Sequence, residues 1–517
     1  MSLPQQDAAA GIVDLSATRR PSGPLSTEIL VIGSGCGGAT AAWDLAAAGR
    51  QVLVLEEGGD FTGSALTQRD GQMIDQLYME RGGRATEDLS ISILQGRVLG
   101  GGGVINQCDV VGIKDELLDV WRSRFGLSDF SASKLAPHVA RARRDLSANR
   151  IDADQINRAN ALLQQGAKAL GLRGEVLEHN RVGCEELGGC TLGCPANAKR
   201  NPRFVAIPGA LKAGARFFIR GRATRIDDSN KALKRVQVRT LDAKGHRETG
   251  SFEIRARVVI VAANAIATAQ LLLRSGIGNE HVGRHLTLQP QLPIVAEFDE
   301  RIDGFAGIPQ SYAVIEHEFV HQTLGLWGFR IEGIMATPGL VASLLPLVGQ
   351  AGKQIMSRYA HYAASLLLAP DAPSGRVQLR DAGRPLVRYQ HQEDHKARIR
   401  QAIKLAARVY LAAGARTVFS ATVPLLQFRK TSDLDQVDQL SLAPATASFV
   451  SAHQQGSVRF APSAKLGGAR PDGLVYGTRD IYVFDSSGFP TSASSHTMLP
   501  IISTSHYLSA QLNSHLN

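Results

Sequence analysis

Unbroken apolar runs and 3.6-residue apolar stripes alternate along this chain, and that alternation predicts an α/β protein. Glu28 to Ile32, Gln51 to Leu55 and Ala256 to Ala262 carry short runs rich in Val, Ile and Leu, the pattern of parallel strands covered on both faces. Ala-rich helices are predicted after the first and third runs, over Thr40 to Gly49 and Ala265 to Ser275. Strands are also expected at Ala215 to Ile219 and Val236 to Thr240, around the turn-prone Asp227 to Asn230. The pattern is helical from Ser131 to Leu170. It changes between 285 and 450, where Ile294 to Phe298 and Ser311 to Ile315 suit a second sheet. Gly375 to Leu379 and Pro385 to Tyr389 flank a hairpin turn, and a long helix runs from about Asp394 to Gly414. A strand at Ile481 to Asp485 and a helix at Pro500 to Leu512 close the chain.

Where the first run ends, Gly33, Gly35 and Gly38 form G-x-G-x-x-G. The three glycines suit a tight turn, backbone open to a pyrophosphate, and close helix-to-strand packing. The following helix turns unpaired NH groups and its positive dipole end toward the phosphates. Glu56, at the end of the second run, is placed to accept hydrogen bonds from an adenosine ribose. A second glycine cluster, Gly100, Gly101, Gly102 and Gly103, sacrifices side-chain burial, as expected where backbone must approach a flat or charged ligand; a flexible hinge is the plainer alternative.

At 517 residues the chain exceeds a single core, so two or more domains are expected. The net charge of +10 is spread among scattered Lys and Arg mixed with acids, which argues for solubility and against nucleic-acid binding. No apolar run is long enough to span a bilayer, and residues 1–24, including Arg19-Arg20, lack a signal-like apolar core, so a cytoplasmic location is expected. Five cysteines make no disulfide framework. Cys184, Cys190 and Cys194 cluster among glycines as either a reduced structural loop or a metal site; with no clear fourth ligand, no metal is expected. The apolar stretch Met335 to Leu368 is either core or the wall of a channel.

Taken together, Gly96 to Asn106 and Ala263 to Gly278 resemble the two signatures of the glucose-methanol-choline (GMC) oxidoreductases, flavoproteins that oxidise alcohols with FAD. Gly102 and Gly103 stand where serines are common, Asn264 where Gly is usual, and Thr268-Ala269 for a usual Ser-Pro. Cys184 to Lys199 and Asp371 to Ala415 are most similar to the long-chain alcohol oxidase branch. The resemblance implies a Rossmann-like FAD-binding domain interleaved with an α+β substrate-binding domain. The expected division is a flexible arm (1–26), FAD-binding parts at 27–130, 215–284 and 475–517, a helical and Cys-rich insertion (131–214), and a substrate domain (285–474). Ile105 stands where some relatives carry a flavin-linking His, so the FAD is expected to be noncovalent.

By position, His453 and His496 match the family's catalytic pair; Asn106 is placed near the flavin and Asp485 near its ribityl chain or pyrophosphate. Asn106 would otherwise stabilise a turn, and Asp485 a helix entry. An imidazole can accept the hydroxyl proton at neutral pH, so His453 is the preferred base and His496 the partner that orients the substrate oxygen, with the reverse division open. The expected activity is oxidation of a small hydrophobic alcohol to an aldehyde or ketone. Oxygen, a quinone or a protein would be the electron acceptor. The rivals are a lyase or a light-driven fatty-acid decarboxylase on the same fold, and a nonenzymatic flavin-binding protein.

Overall fold

The computed structural model describes residues 11–17, 23–321 and 326–517. It is a mixed α/β structure built around two large sheets. Across the first, the order is Ile12–Asp14, Arg216–Ile219, Val52–Leu55, Leu25–Ile32, Glu248–Val261, Lys234–Leu241 and Gly221–Asp227, and Ile481–Val483 also pairs with Glu248–Val261. The strands from Ile12–Asp14 to the end of Glu248–Val261 run parallel, as does Ile481–Val483; the last two form an antiparallel meander. Ile29, Leu30, Val31 and Val258 to Val261 are fully buried, as strands covered on both faces require.

Register decides where the chemistry goes. Ile32 pairs with Leu55 and Val261, and Val261 with Val483, so four strands end on one line. Gly33, Glu56, Asn264 and Asp485 follow these ends closely, in the crevice where open α/β sheets bind ligands. The helices Cys36–Ala47 and Met498–Leu516 pack together, with Ser505 Oγ donating to Gly37 O at 2.8 Å.

The second sheet is antiparallel, in the order Gln427–Phe428, Thr417–Ser420, Leu292–Glu297, Tyr362–Leu368, Arg330–Gly333, Tyr312–Val314 and Gly174–Val176. Helices Glu393–Ala412 and Arg158–Ala169 pack against it and against each other. A four-stranded sheet contains the hairpin Gly375–Leu379 with Pro385–Arg388 and the strand Gln455–Ser457, which follows His453.

Several boundaries differ from the sequence reading. The arm expected over 1–26 is not wholly flexible: Ile12–Asp14 pairs in parallel with Phe217 to Ile219 and buries Val13, while residues 1–10 and 18–22, with Arg19-Arg20, lie outside the described residues. The helical stretch 131–170 is two helices, Ala132–Asp145 and Arg158–Ala169, broken where Ser147 takes φ 52° and Asn149–Arg150 pairs with Glu178–His179. The last strand stops at Val483 because Asp485 turns its side chain onto Ser487 N. No helix among the described residues is long and apolar enough to cross a membrane.

Candidate active site

A single cavity of about 830 Å3 runs from the turn Gly33–Gly37 to His453 and His496. At the turn end, backbone shape dominates. Gly33 has φ +103°, and a Cβ there would sit 2.3 Å from Ala262 O. A Cβ on Gly37 would lie 1.8 Å from Phe484 O, and one on Gly38 would lie 2.0 Å from Gly33 O. These glycines are demanded by close packing of helix on strand. Gly35 and Gly102 are different: a Cβ on Gly35 would meet only Gly101 Cα at 3.9 Å, and one on Gly102 nothing within 4 Å. Their missing side chains leave room in the cavity, beside a helix N-terminus whose Gly35 cap supplies no side-chain bond. Bare backbone, open space and uncapped NH groups fit the pyrophosphate of a dinucleotide.

The other expected residues at this end divide by role. Gly38 and Gly100 lie outside the cavity wall and act through packing, Gly100 N also donating to Ser34 Oγ at 3.1 Å. Gly101 and Gly103 line the cavity and also touch protein, a Gly103 Cβ falling 2.6 Å from Pro202. Glu56 lines it too, with its carboxylate engaged by Ser34 N (3.0 Å), Ser34 Oγ (2.6 Å) and Gly58 N (2.7 Å); burial still lifts its pKa above the ordinary value. Asp485 accepts from Asn264 N (2.8 Å), Thr268 Oγ1 (2.6 Å) and Ser487 N (2.8 Å), which makes it a latch between two chain segments as well as a wall residue.

This latch explains two departures from the family signature. Asn264 has φ +74°, a conformation that glycine favours and asparagine tolerates. Thr268 retains a hydroxyl, which both receives from Ala263 N at 3.0 Å and donates to Asp485. Asn106 lines the cavity while its Oδ1 accepts from Cys108 N at 3.2 Å, the local turn role. Ile105 faces the same cavity with no nucleophilic atom.

At the far end the two imidazoles meet, ring centroids 5.0 Å apart and planes at 75°. Their surroundings are opposite. His496 Nε2 bonds Glu332 Oε2 at 2.8 Å and lies 3.8 Å from Asp109 Oδ2. Burial alone would depress this imidazolium, but the two carboxylates outweigh burial and raise its pKa. Burial opposes ionisation of Glu332 as well, yet His496 and Arg330, whose Nε stands 2.6 Å away, hold the acid down to about 2. Asp109 has neither oxygen hydrogen-bonded, and burial pushes it up to about 7, with His496 pulling the other way.

His453 has no carboxylate partner of its own, and burial together with the His496 charge depresses it to about 3, so it is neutral. Its tautomer follows from a fixed amide. Gln289 Nε2 donates to Ser494 O at 3.0 Å, which turns Gln289 Oε1 onto His453 Nδ1. Gln291 Nε2 lies 3.0 Å from the same Nδ1 and 3.4 Å from Gln289 Oε1; the carbonyl can only accept, so it places the hydrogen on Nδ1 and leaves the Gln291 amide to donate to Oε1. Nε2 is left as a bare lone pair. Gln289 itself has φ 47° and is pinned by Asp371, which accepts from the Leu288 and Gln289 amides at 2.8 Å each.

Between the two ends the wall is apolar. Leu340, Val341, Leu344 and Leu345 from and just after the short helix Pro338–Leu344 face Leu366 and Leu368 from the strand Tyr362–Leu368. The stretch 335–368 thus serves both expected roles, since Leu367 and Ala363 from the same strand are fully buried core.

Asp109, Gln289, Gln291, Arg330 and Glu332 went unremarked in the sequence. One signal was available: Arg330-Ile331-Glu332 puts charges inside an apolar strand, where burial demands partners. Among the described residues, Asp109, Glu332 and His496 are the one group whose ligand atoms converge as a metal site would, and Arg330 already brings a positive charge there. Cys184, Cys190 and Cys194 do not converge in that way.

Comparison with known proteins adds independent findings. Profiles described as GMC oxidoreductase match residues 74–291 and 370–505, together more than half of the chain, and one described as NAD(P)-binding Rossmann-like domain matches 31–92. An uncharacterised GMC-type oxidoreductase of Mycobacterium tuberculosis is 29% identical over 96% of this chain and 78% of its own. A long-chain-alcohol oxidase of Arabidopsis thaliana is 25% identical over 99% of this chain and 70% of its own. In fold, formate oxidase of Aspergillus oryzae gives a TM-score of 0.71 at 14% identity, covering 96% of this chain and 99% of that one. A fungal aryl-alcohol oxidase gives 0.64 at 14% identity, covering 95% and 99%.

Proposed function

Because the chain belongs to the GMC oxidoreductase family and has FAD as its cofactor, we propose that it oxidises a hydrophobic alcohol to the aldehyde or ketone. The observation that carries this reading is the pair of touching imidazoles, one with its pKa raised by two carboxylates and one depressed to about 3, at the apolar end of a dinucleotide cavity. FAD bound there supplies a two-electron acceptor that takes hydride from carbon.

Each nearby side chain then has a task. The bare Nε2 of His453 accepts the hydroxyl proton, a role that the Gln289 carbonyl secures by keeping hydrogen on Nδ1. His496, cationic through Glu332, donates toward the substrate oxygen and stabilises negative charge as the proton leaves. The same charge depresses His453 while no substrate is present, and a forming alkoxide between the rings offsets it. Gly35 and Gly102 leave the space for the pyrophosphate, and Glu56 lies at the ribose end. With Ile105 in place of a linking His, the flavin is held noncovalently.

Leu340, Val341, Leu344 and Leu366 favour an aliphatic tail by excluding water from it. That agrees with the Arabidopsis relatives, which are named long-chain-alcohol oxidases and share 25–27% identity. The test is a visible spectrum of the purified protein, followed by an anaerobic panel of alcohols. Long-chain primary alcohols should bleach the flavin in the dark, and denaturation should release it. A flavin that every alcohol leaves oxidised would overturn the reading in favour of lyase or light-driven chemistry.

A further inference from the structure

Against the backbone of residues 104–107, which contribute to the cavity wall, two buried cations lie beside a pair of thiols. Lys199 is 1% exposed and Arg181 4%. Lys199 Nζ donates only to carbonyl oxygens, those of Val104 (2.8 Å), Asn106 (2.6 Å) and Cys190 (2.6 Å). Arg181 Nη2 donates to Gln107 O at 2.5 Å and lies 3.8 Å from Cys190 Sγ, and Nη1 meets His179 Nδ1 at 2.9 Å. Arg181 Nε has no hydrogen-bond partner. Neither cation has a carboxylate in ion-pair contact among the described residues, and Asp109, the acid whose field reaches Arg181, is itself raised to about 7. Buried charge without a counter-ion is costly, so the site calls for an anion.

Cys190 answers that need. Lys199 joins Asn106 O to Cys190 O and Arg181 Nη2 joins Gln107 O to Cys190 Sγ, which brings the segment carrying Cys108 beside Cys190; that neighbouring thiol, with Arg181 and Lys199, draws the Cys190 thiol well below its ordinary pKa. Cys108, fully buried, is pushed up by its burial. Cys36 provides a contrast within the same chain, since burial without a nearby cation lifts it to about 12. Cys190 also lines a small pocket of about 20 Å3 with Gln68, Cys184 and Cys194, room for a molecule on the scale of water or hydrogen peroxide.

We propose that Cys190 and Cys108 form a peroxide-responsive dithiol, Cys190 being the attacking thiolate and Cys108 the resolving thiol. The Cys190 thiolate attacks the terminal oxygen of a hydroperoxide; the O–O bond breaks, and water or an alcohol leaves once its oxygen is protonated. The sulfenic acid on Cys190 is then attacked by Cys108. An S–S bond forms, the S–O bond breaks, and hydroxide departs as water with the Cys108 proton. Two thiol electron equivalents have then reduced one peroxide. Lys199 ties Cys190 to the 104–106 segment, so closure of the disulfide acts on the stretch that carries Ile105 and Asn106 at the cavity wall.

The test uses the full-length flavoprotein and a graded excess of hydrogen peroxide, followed by alkylation and peptide mass spectrometry. The expected result is loss of two free thiols per chain and a Cys108–Cys190 linked peptide that dithiothreitol reverses, with Cys36 still free. Before oxidation, iodoacetamide at neutral pH should label Cys190 at least about tenfold faster than Cys36. Cys108→Ser should strand a dimedone-reactive sulfenic acid on Cys190, and Cys190→Ser should give neither product. A link joining any other pair, sulfinic acid at Cys190 without a link in the unaltered protein, or equal labelling of Cys190 and Cys36 would overturn the proposal. If Cys108→Ser fails to fold, the peptide map of the unaltered protein decides alone.

Discussion

The two ends of the cavity are built by different means. At the nucleotide end, recognition is a matter of backbone shape, and its glycines at 33, 35, 37 and 38 are neighbours in sequence. At the histidine end it is a matter of field: Asp109, Gln289, Glu332, His453 and His496 come from distant parts of the chain and set each other's protonation. Shape tolerates almost no added atom, whereas field can be retuned one charge at a time.

The severest way to break this contrast is at the shape end. Gly37→Ala drives a methyl against Phe484 O, 1.8 Å from the ideal Cβ, and should yield no folded flavoprotein. Gly102→Ala, with open space around its Cβ, should fold normally and lose FAD affinity instead. Flavin absorbance per chain and a thermal melt separate the two; equal behaviour would mean that the groove does not face the cofactor.

Next in size is removal of the base. His453→Ala should slow anaerobic flavin reduction by roughly 10²- to 10⁴-fold with flavin content unchanged, measured by stopped flow. A rate within threefold of the unaltered protein would take His453 out of the mechanism. Gln289→Leu, which frees Nδ1 from the carbonyl, should produce a smaller loss of the same kind.

Charge can then be tuned rather than deleted. Because Glu332 and Asp109 raise the His496 pKa, the reductive rate should fall as pH rises through that value, and Glu332→Gln should move the alkaline limb to lower pH. His453 behaves in the opposite sense. Its folded pKa of about 3 lies below that of an unfolded imidazole, near 6.5. The stability it contributes is therefore full above that unfolded value and declines as pH falls toward the folded one. The reductive rate should accordingly show no acid limb between pH 7 and pH 5 while the protein stays folded. A tenfold drop per unit across that range would show an unperturbed base.

The smallest effect concerns the apolar wall. Each added CH2 in a straight-chain alcohol should improve kcat/KM by roughly fourfold, from about 0.8 kcal/mol per buried methylene, until the cavity is filled. Leu344→Ser should flatten that series without changing the rate for the shortest alcohols.

Much of the fold was legible because it is local. The runs at Ile29–Ile32 and Val258–Val261 are apolar throughout, and strands that read so must be covered on both faces. The hairpin at 375–388 was equally plain, its Asp381-Ala382-Gly383 turn lying between two strand-like segments. What escaped was structure created by pairing at a distance, such as Ile12–Asp14, a strand only because Phe217 to Ile219 offers it an edge. The cysteine loop is a similar case: its residues are adjacent in sequence, yet the thiol that meets Cys190 is Cys108, and the cations beside it are Arg181 and Lys199.

From the sequence alone follow the phosphate-type turn, the parallel strands that carry it, and the family with its cofactor, since each is a property of spacing along the backbone. Only the tertiary structure decides which histidine is drawn toward its charged form, which nitrogen of the other bears hydrogen, and which acid goes without a hydrogen bond. Those properties depend on burial and on charges a few ångströms away in space but hundreds of residues away in the chain, a distance that no local pattern encodes.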